Sequence, residues 1–122
     1  VVVQVSGGGG GGGGGIDRGA GSNEYLYPGQ SIYSPSGVYR LLYQSDGNLV
    51  AYGPSGAYWS SGEFASPGFL VMASEGNLIA YSSSGVPYWE TYTYSPGAWL
   101  TVANDGNVIV YSAGGAVVWS LW

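Results

Sequence analysis

Cysteine, histidine and lysine are all absent from this 122-residue chain, and Arg18 and Arg40 are its only basic residues. Without cysteine and histidine the chain cannot form disulfides, the usual zinc and copper sites, or thiol and imidazole catalytic groups. Only 7% of the residues are charged and the net charge is −5, so no basic surface can be assembled for a phosphate backbone. We therefore expect neither nucleic acid nor a metal cofactor as a ligand.

Long apolar runs are also missing. No segment approaches the roughly 20 apolar residues of a membrane-spanning helix, and none shows a helical stripe, so we expect no membrane insertion. The chain is instead rich in glycine (24 residues) and tyrosine (12 residues). This composition is typical of short strands, tight turns and a surface of hydroxyl and amide groups, and it predicts an all-β fold.

The composition divides the chain into residues 1–21 and residues 22–122. Val1 to Val5 is typical of a strand, and Gly7 to Gly15 is an unbroken run of nine glycines. One interpretation of this N-terminal segment is a flexible linker. The other is an assembly segment, in which glycine strands of several copies pack closely because glycine alone permits such backbone approach.

Residues 22–122 contain an internal repeat. The segment 44–52 returns at 73–81 and again at 103–111, with a period of 29 or 30 residues. Strand signals within each repeat predict about three short antiparallel strands, and residues 23–27 and 30–33 add one or two more. Three similar units in succession predict a body with pseudo-threefold symmetry.

Each repeat carries one tryptophan at the same place, Trp59, Trp89 and Trp119. Exposed tryptophans often stack on sugars, which would make these residues part of a binding site. Their strict repetition on the third strand of each unit favours a different position, on the axis of the body, where three indoles can pack together.

The turn between the first two strands of the first repeat sets which side chains share a face. If Ser45–Gly47 is a three-residue loop ending in a left-handed glycine, Gln44 lies opposite Asn48. A two-residue turn would instead place Gln44 opposite Leu49 and scatter the polar groups. We prefer the first register because alternation along the strands then gathers one set of side chains: Gln44, Asp46, Asn48, Val50 and Tyr52.

This set has the chemistry of a sugar site. Neighbouring sugar hydroxyls both donate and accept hydrogen bonds, so a carboxylate and two amides can bind them together. The aliphatic Val50 suits the C–H surface of the ring. The simpler alternative is that Asn48, Asn77 and Asn107 only satisfy turns, since asparagine is a common turn residue, but that alternative does not explain the accompanying Gln44 and Tyr52.

The pattern Gln44-x-Asp46-x-Asn48-x-Val50-x-Tyr52 resembles the sugar-binding signature of the bulb-type (monocot, snowdrop-like) mannose-binding lectins. The resemblance covers about residues 22–122. It implies a β-prism II fold, with three four-stranded antiparallel sheets around a pseudo-threefold axis. It also implies that Asp46 and Asn48 bind the axial hydroxyl of mannose, that Gln44 and Tyr52 bind its neighbours, and that Val50 contacts the ring carbons. Plant members carry a disulfide whose positions correspond here to Gly47 and Gly68.

The other two repeats depart from the signature. The third has Ala103 in place of glutamine and retains four positions: Asp105, Asn107, Ile109 and Tyr111. The second has Ala73 and also a longer acid, and its remaining candidates are Glu75, Asn77 and Tyr81. Losing one side-chain hydrogen bond costs about 1 kcal/mol, so we predict that affinity falls from the first site to the third and then to the second.

These observations predict a lectin and not an enzyme. The acidic side chains of the three repeats are expected on different sheets, so no pair of carboxylates converges as a glycosidase requires. The expected partners are mannose-containing glycans on cell surfaces, bound by a multivalent homo-oligomer in an extracellular setting, such as the receptor-binding tip of a fibre or virion. The alternative is a structural or protein-interaction β-prism whose sugar sites are vestigial.

Overall fold

The structure, a computed structural model, describes residues 24–122, which form eleven strands and no helix. The predictions for residues 1–21, and the domain boundary at residue 22, lie outside the described residues. Within the described range no helix is long and apolar enough to cross a membrane. The strands are β1 Glu24–Leu26, β2 Ser31–Tyr33, β3 Arg40–Tyr43, β4 Leu49–Gly53, β5 Gly56–Ser60, β6 Pro67–Met72, β7 Leu78–Ser82, β8 Pro87–Glu90, β9 Trp99–Val102, β10 Val108–Tyr111 and β11 Val117–Ser120.

The strands form three antiparallel sheets, one for each repeat. The first sheet has the order β2-β3-β4-β5, the second β1-β6-β7-β8 and the third β11-β10-β9. The predicted all-β prism with three related sheets is therefore confirmed. Four strands are present in two sheets, whereas the third contains three strands within residues 24–122. The N-terminal β1 joins the sheet of the second repeat, where Tyr25 pairs with Val71.

The inner faces of the sheets meet in one apolar core. Leucine, valine and alanine side chains alternate inward along the strands, and most of them are fully buried. The three repeat tryptophans pack against this core in mutual edge-to-face contact, with ring centroids 5.8 to 6.1 Å apart. Each pairs with the middle strand at an equivalent residue: Trp59 with Ala51, Trp89 with Ala80, and Trp119 with Val110. The prediction of an axial tryptophan cluster is confirmed.

The first turn has the predicted three-residue register. The Gln44 N–H donates to the Asn48 carbonyl at 3.0 Å, and the Gly47 N–H donates back to the Gln44 carbonyl at 2.9 Å. Gly47 has a φ of 87°, which a side chain would strain, and a Cβ there would lie 2.3 Å from the Ala65 carbonyl oxygen. The alternative two-residue turn is thus excluded, and glycine is required at this position.

Every repeat has a β-bulge at the same place between its second and third strands. Ala51 pairs with Trp59 while Tyr52 pairs with Ala57, so Tyr58 is the extra residue. Tyr88 and Val118 are the extra residues of the second and third repeats. Bulges redirect side chains. Here the bulge directs the Tyr88 hydroxyl to the Gly47 carbonyl at 2.6 Å, and the Tyr58 hydroxyl to the Gly106 carbonyl.

A pair of tyrosines joins the first two sheets beside Gly47. The hydroxyls of Tyr43 and Tyr88 are 2.9 Å apart, and Tyr88 donates to the Gly47 carbonyl. Burial raises the pKa of Tyr43, while a hydrogen bond with the Gly68 backbone opposes that rise. The Tyr43 hydroxyl also donates to the Tyr81 carbonyl at 3.3 Å, so the tyrosine pair forms a noncovalent contact at Gly47, one of the two positions at which the resemblance implies a disulfide in plant members.

Candidate functional site

The polar side chains of the first repeat form a continuous chain of hydrogen bonds on the outer face of its sheet. The Tyr52 hydroxyl donates to Gln44 Oε1. Gln44 Nε2 then donates to both carboxylate oxygens of Asp46, at 3.1 and 3.2 Å. The Asn48 backbone N–H donates to Asp46 Oδ1 at 2.9 Å. Three side chains from two strands and a turn are thus held in fixed mutual orientation before any ligand arrives.

The same contacts keep the Asp46 carboxylate ionised. Its pKa lies below its ordinary value of 3.8, first because it accepts the Asn48 backbone N–H and second because it accepts the Gln44 amide. These bonds favour the charged form. An exposed, ionised carboxylate with open lone pairs can accept further hydrogen bonds from ligand hydroxyls.

The two polar atoms of the Asn48 side chain have different surroundings. Its Oδ1 accepts hydrogen bonds from the Ser61 hydroxyl at 2.8 Å and the Gly62 N–H at 3.0 Å, so it does satisfy a loop. Its Nδ2 has no acceptor among residues 24–122 and can donate to a ligand. Val50 lies between the polar groups and is only 3% exposed, so its side chain leaves little area for contact with a ligand.

Arg40 lies at the edge of this site, a place that was not predicted from the sequence. Arg40 is the cross-strand partner of Tyr52, and its guanidinium lies 5.1 Å from the centre of the Tyr52 ring. The signal in the sequence was the spacing alone, because Arg40 lies four residues before Gln44 and alternation places both on one face. Gln44, Asp46 and Arg40 also line a shallow groove beside β3.

The third repeat preserves the turn but not the polar chain. The Asn107 N–H donates to Asp105 Oδ1 at 2.9 Å, as in the first repeat. Ala103 supplies no amide. The Asn107 side chain is fully engaged, because Oδ1 accepts the Leu121 N–H at 3.1 Å and Nδ2 donates to the Trp122 carbonyl at 3.3 Å.

The ring of Tyr111, the last candidate of the third repeat, stacks on Trp99 with centroids 4.9 Å apart. Ile109 is buried between the polar positions, as Val50 is in the first repeat. The third repeat therefore lacks the glutamine that connects carboxylate and tyrosine in the first, and its Asp105 lines a cleft with Tyr58 and Trp122.

The second repeat departs furthest. Asn77 Nδ2 donates to Glu90 Oε1 at 2.7 Å, and Asn77 Oδ1 accepts the Thr93 N–H at 3.2 Å. Glu75 and Tyr81 lie on the same face of their sheet and line one cleft. This repeat thus retains the predicted acid and tyrosine but directs its asparagine away from the surface.

The three acidic side chains belong to the turns of three different sheets, so no two of them flank a common cleft. Within residues 24–122 no group of three or more histidine, cysteine or acidic side chains is arranged to hold a metal ion. What the geometry provides is hydrogen bonding to hydroxyl groups on an outer sheet face.

The solved structures that this chain resembles include several lectins. A monomeric monocot mannose-binding lectin from Gastrodia elata is 31% identical, with a TM-score of 0.75, over 87% of this chain and 94% of that one. The chain belongs to the bulb-type mannose-binding lectin family. A Marasmius oreades lectin is 29% identical with a TM-score of 0.76, over 82% of this chain and 86% of that one.

A third lectin structure, from Polygonatum cyrtonema, was solved in complex with a monomannoside. It is 31% identical with a TM-score of 0.67, over 80% of this chain and 89% of that one. No protein-family model matches the chain, and no curated protein does. These likenesses identify a non-enzymatic, carbohydrate-binding lectin.

Proposed function

We propose that this lectin binds mannose-type glycans, chiefly through the outer face of the first repeat. The observation that carries the proposal is the hydrogen-bonded chain from Tyr52 through Gln44 to Asp46, beside an Asn48 Nδ2 without an acceptor among the described residues. Together they present donors and acceptors in a fixed array, as adjacent ring hydroxyls require. The Polygonatum lectin and the snowdrop lectin, each crystallised with a mannoside, support mannose as the sugar.

The hydrogen bonds of the three repeats support a graded set of sites. The first repeat has both the connecting glutamine and an available asparagine donor. The third has neither, but retains the short acid in its turn, and the second has lost the short acid as well. We therefore retain the order first, third, second, with a millimolar affinity (about −4 kcal/mol) at the strongest site.

A single site of this strength becomes useful through avidity on a multivalent surface. The proposal accordingly includes a homo-oligomer that binds mannose-containing glycans on cell surfaces in an extracellular setting, such as the tip of a fibre or virion. Sedimentation of the full chain across a concentration range tests this part, and a monomer at all concentrations would contradict it.

The mannose proposal is tested by NMR titration with mannose and with glucose, which differs in the orientation of one hydroxyl. We expect mannose to shift the side-chain amide resonances of Gln44 and Asn48 at lower concentration than glucose does. Asp46→Ala should weaken mannose binding about tenfold to a hundredfold, because it removes a charged acceptor. Glu63→Ala, which removes an exposed carboxylate outside the site, is the matched control.

The second candidate function is protein binding by a β-prism with vestigial sugar sites. Exposed aromatic side chains favour it: Phe64, Tyr92, Tyr94 and Trp122 are each more than half exposed, and rings of this kind are enriched at protein interfaces. A dissociation constant of tens of millimolar corresponds to a binding free energy of roughly −2 to −3 kcal/mol. If mannose at such concentrations shifts no resonance of the first repeat, the lectin proposal fails and this candidate replaces it.

A further inference from the structure

The second repeat has a cleft with a different chemical lining from that of the first. It is a surface cleft of about 260 Å³ on the outer face of the sheet β1-β6-β7-β8. Three aromatic rings and one carboxylate dominate its wall. The lining residues are Tyr25, Phe69, Val71, Ala73, Ser74, Glu75, Ile79 and Tyr81.

The aromatic rings contact one another around Phe69. Its ring centroid lies 5.0 Å from that of Tyr25, nearly perpendicular, and 5.2 Å from that of Tyr81. Tyr27 stacks on Tyr25 at 6.1 Å. Aromatic ring faces carry negative quadrupole charge and attract cations.

Phe69 occupies the position that Arg40 holds in the first repeat. Arg40 pairs with Tyr52 across the strands, and Phe69 pairs with the equivalent Tyr81. Replacing a guanidinium by a phenyl ring at this position removes the cation that would repel a positively charged ligand. Among residues 24–122 Arg40 is the only basic side chain, and it belongs to the other sheet.

Glu75 adds a full negative charge to the same cleft. Its carboxylate forms no ion pair within the described part of the chain and is exposed. Meanwhile the two amide donors of the first repeat are not available here, because Ala73 stands in place of glutamine and Asn77 Nδ2 donates to Glu90. Compared with the first repeat, the cleft has therefore lost two amide donors and a basic side chain, has gained the ring of Phe69, and keeps an acid.

We infer that this cleft binds an organic ammonium group, either a quaternary ammonium or the protonated amine of an amino sugar. Both sources share a diffuse or exposed positive charge that the rings attract and Glu75 pairs with. The inference goes beyond the mannose proposal, since it assigns a different ligand to a different sheet and stands whether or not the first repeat binds mannose.

The test is an NMR titration of the full chain with choline chloride and, separately, with protonated glucosamine. We expect shifts at the Ile79 methyl groups and the Tyr81 ring and none at the Val50 methyl groups. N-acetylglucosamine, which is neutral, and sodium chloride at matched ionic strength serve as controls and should leave Ile79 unmoved. Shifts with choline alone assign a quaternary ammonium, and shifts with both compounds assign any organic cation.

Two variants separate charge from ring contributions. Glu75→Gln retains the shape of the side chain and should weaken cation binding about tenfold through loss of the charged partner. Phe69→Leu should weaken it by a further few-fold, since cation–π contacts are modest. Glu63→Gln makes the same change in net charge outside the cleft and is the matched control.

Three results would overturn the inference. The first is the absence of any shift of the Ile79 resonances with either cation up to about 100 mM. That concentration is well above a millimolar dissociation constant. The second is unchanged cation affinity in Glu75→Gln. The third is a neutral hexose that binds the cleft as tightly as the cations do, which would make it an ordinary sugar site. Because Val50 reports on the first repeat and Ile79 on the second, failure here leaves the mannose proposal to its own test.

Discussion

The first and second repeats share one backbone and differ in what they present to solvent. Both have the same three-residue turn, the same bulge, and an asparagine that satisfies a loop. On the outer face, Arg40 and Gln44 of the first repeat correspond to Phe69 and Ala73 of the second. The first face is a polar array bridged by hydrogen bonds, and the second is an aromatic cleft beside an acid.

The difference separates the determinants of folding from those of recognition. The inner faces, the turn glycines and the bulges are retained in all three repeats because each sheet must pack on the same axis. The outer-face residues, in contrast, differ in type from one repeat to the next. The fold therefore carries three chemically different outer faces on one pseudo-symmetric body.

The largest expected effect concerns the tryptophan cluster, to which each of the three repeats contributes one side chain. Trp89→Ala removes one of three mutually packed indoles and should lower the free energy of unfolding by about 3–5 kcal/mol. Trp122→Ala, at a side chain that is 64% exposed, should cost less than about 0.5 kcal/mol. Urea unfolding measures both, and equal costs would contradict the axial role.

The next effect tests the contact between repeats. Tyr88→Phe removes the hydroxyl that donates to the Gly47 carbonyl and contacts the Tyr43 hydroxyl, so the Gly47 carbonyl loses this donor. We expect a loss of about 1–2 kcal/mol in the free energy of unfolding. Mannose binding at the first repeat should weaken as well, because the turn that carries Asp46 loosens. Tyr94→Phe, at an exposed ring, is the control, and a Tyr88→Phe protein as stable as that control would refute the prediction.

A single substitution in the third repeat should raise its affinity for mannose. Ala103→Gln restores the missing amide beside Asp105 and Tyr111, and should raise mannose affinity at the third repeat about fivefold, the worth of one hydrogen bond. Ala103→Met has a similar size without the amide and should not. The change is read from the Ile109 methyl resonances during titration. If both variants behave alike, the glutamine has no role in the sugar array.

The smallest effect is the pH dependence of the first repeat. Hydrogen bonds from Asn48 and Gln44 hold the pKa of Asp46 below 3.8, so the carboxylate stays ionised at all higher pH values. Its contribution is present above 3.8 and is lost only as the pH falls through the lower folded value. Mannose affinity should therefore be level from about pH 7 to about pH 4 and decline below that. A decline beginning near pH 5 would contradict this assignment.

Much of this architecture could be predicted from the sequence because it repeats. The period, the turn glycines and the recurring tryptophans indicated three sheets and an axial cluster, and Gly47 correctly set the register that places Gln44 opposite Asn48. Alternation then gave the members of the outer face. These are local rules that a single strand or turn obeys without knowledge of its neighbours.

What the sequence did not predict depends on contacts between repeats. The bulge that directs Tyr88 to Gly47 has no local signature, and the tyrosine pair beside Gly47 joins residues far apart in the chain. The engagement of Asn77 by Glu90, and of Asn107 by Trp122, likewise arises where separate segments meet. The aromatic cleft of the second repeat includes Tyr25 of β1. The order of the strands along the chain did not indicate that β1 joins that sheet.

One titration tests the central claim that the three repeats are graded sites on one scaffold. Val50, Ile79 and Ile109 occupy equivalent positions, paired with Leu42, Val71 and Thr101, so their methyl resonances report on the three faces within a single mannose titration. We predict that Val50 saturates first, that Ile109 needs roughly 25-fold more sugar because two hydrogen bonds of about 1 kcal/mol each are missing, and that Ile79 does not reach saturation. An Ile79 response at the lowest concentration, or one common dissociation constant for all three, would contradict the account.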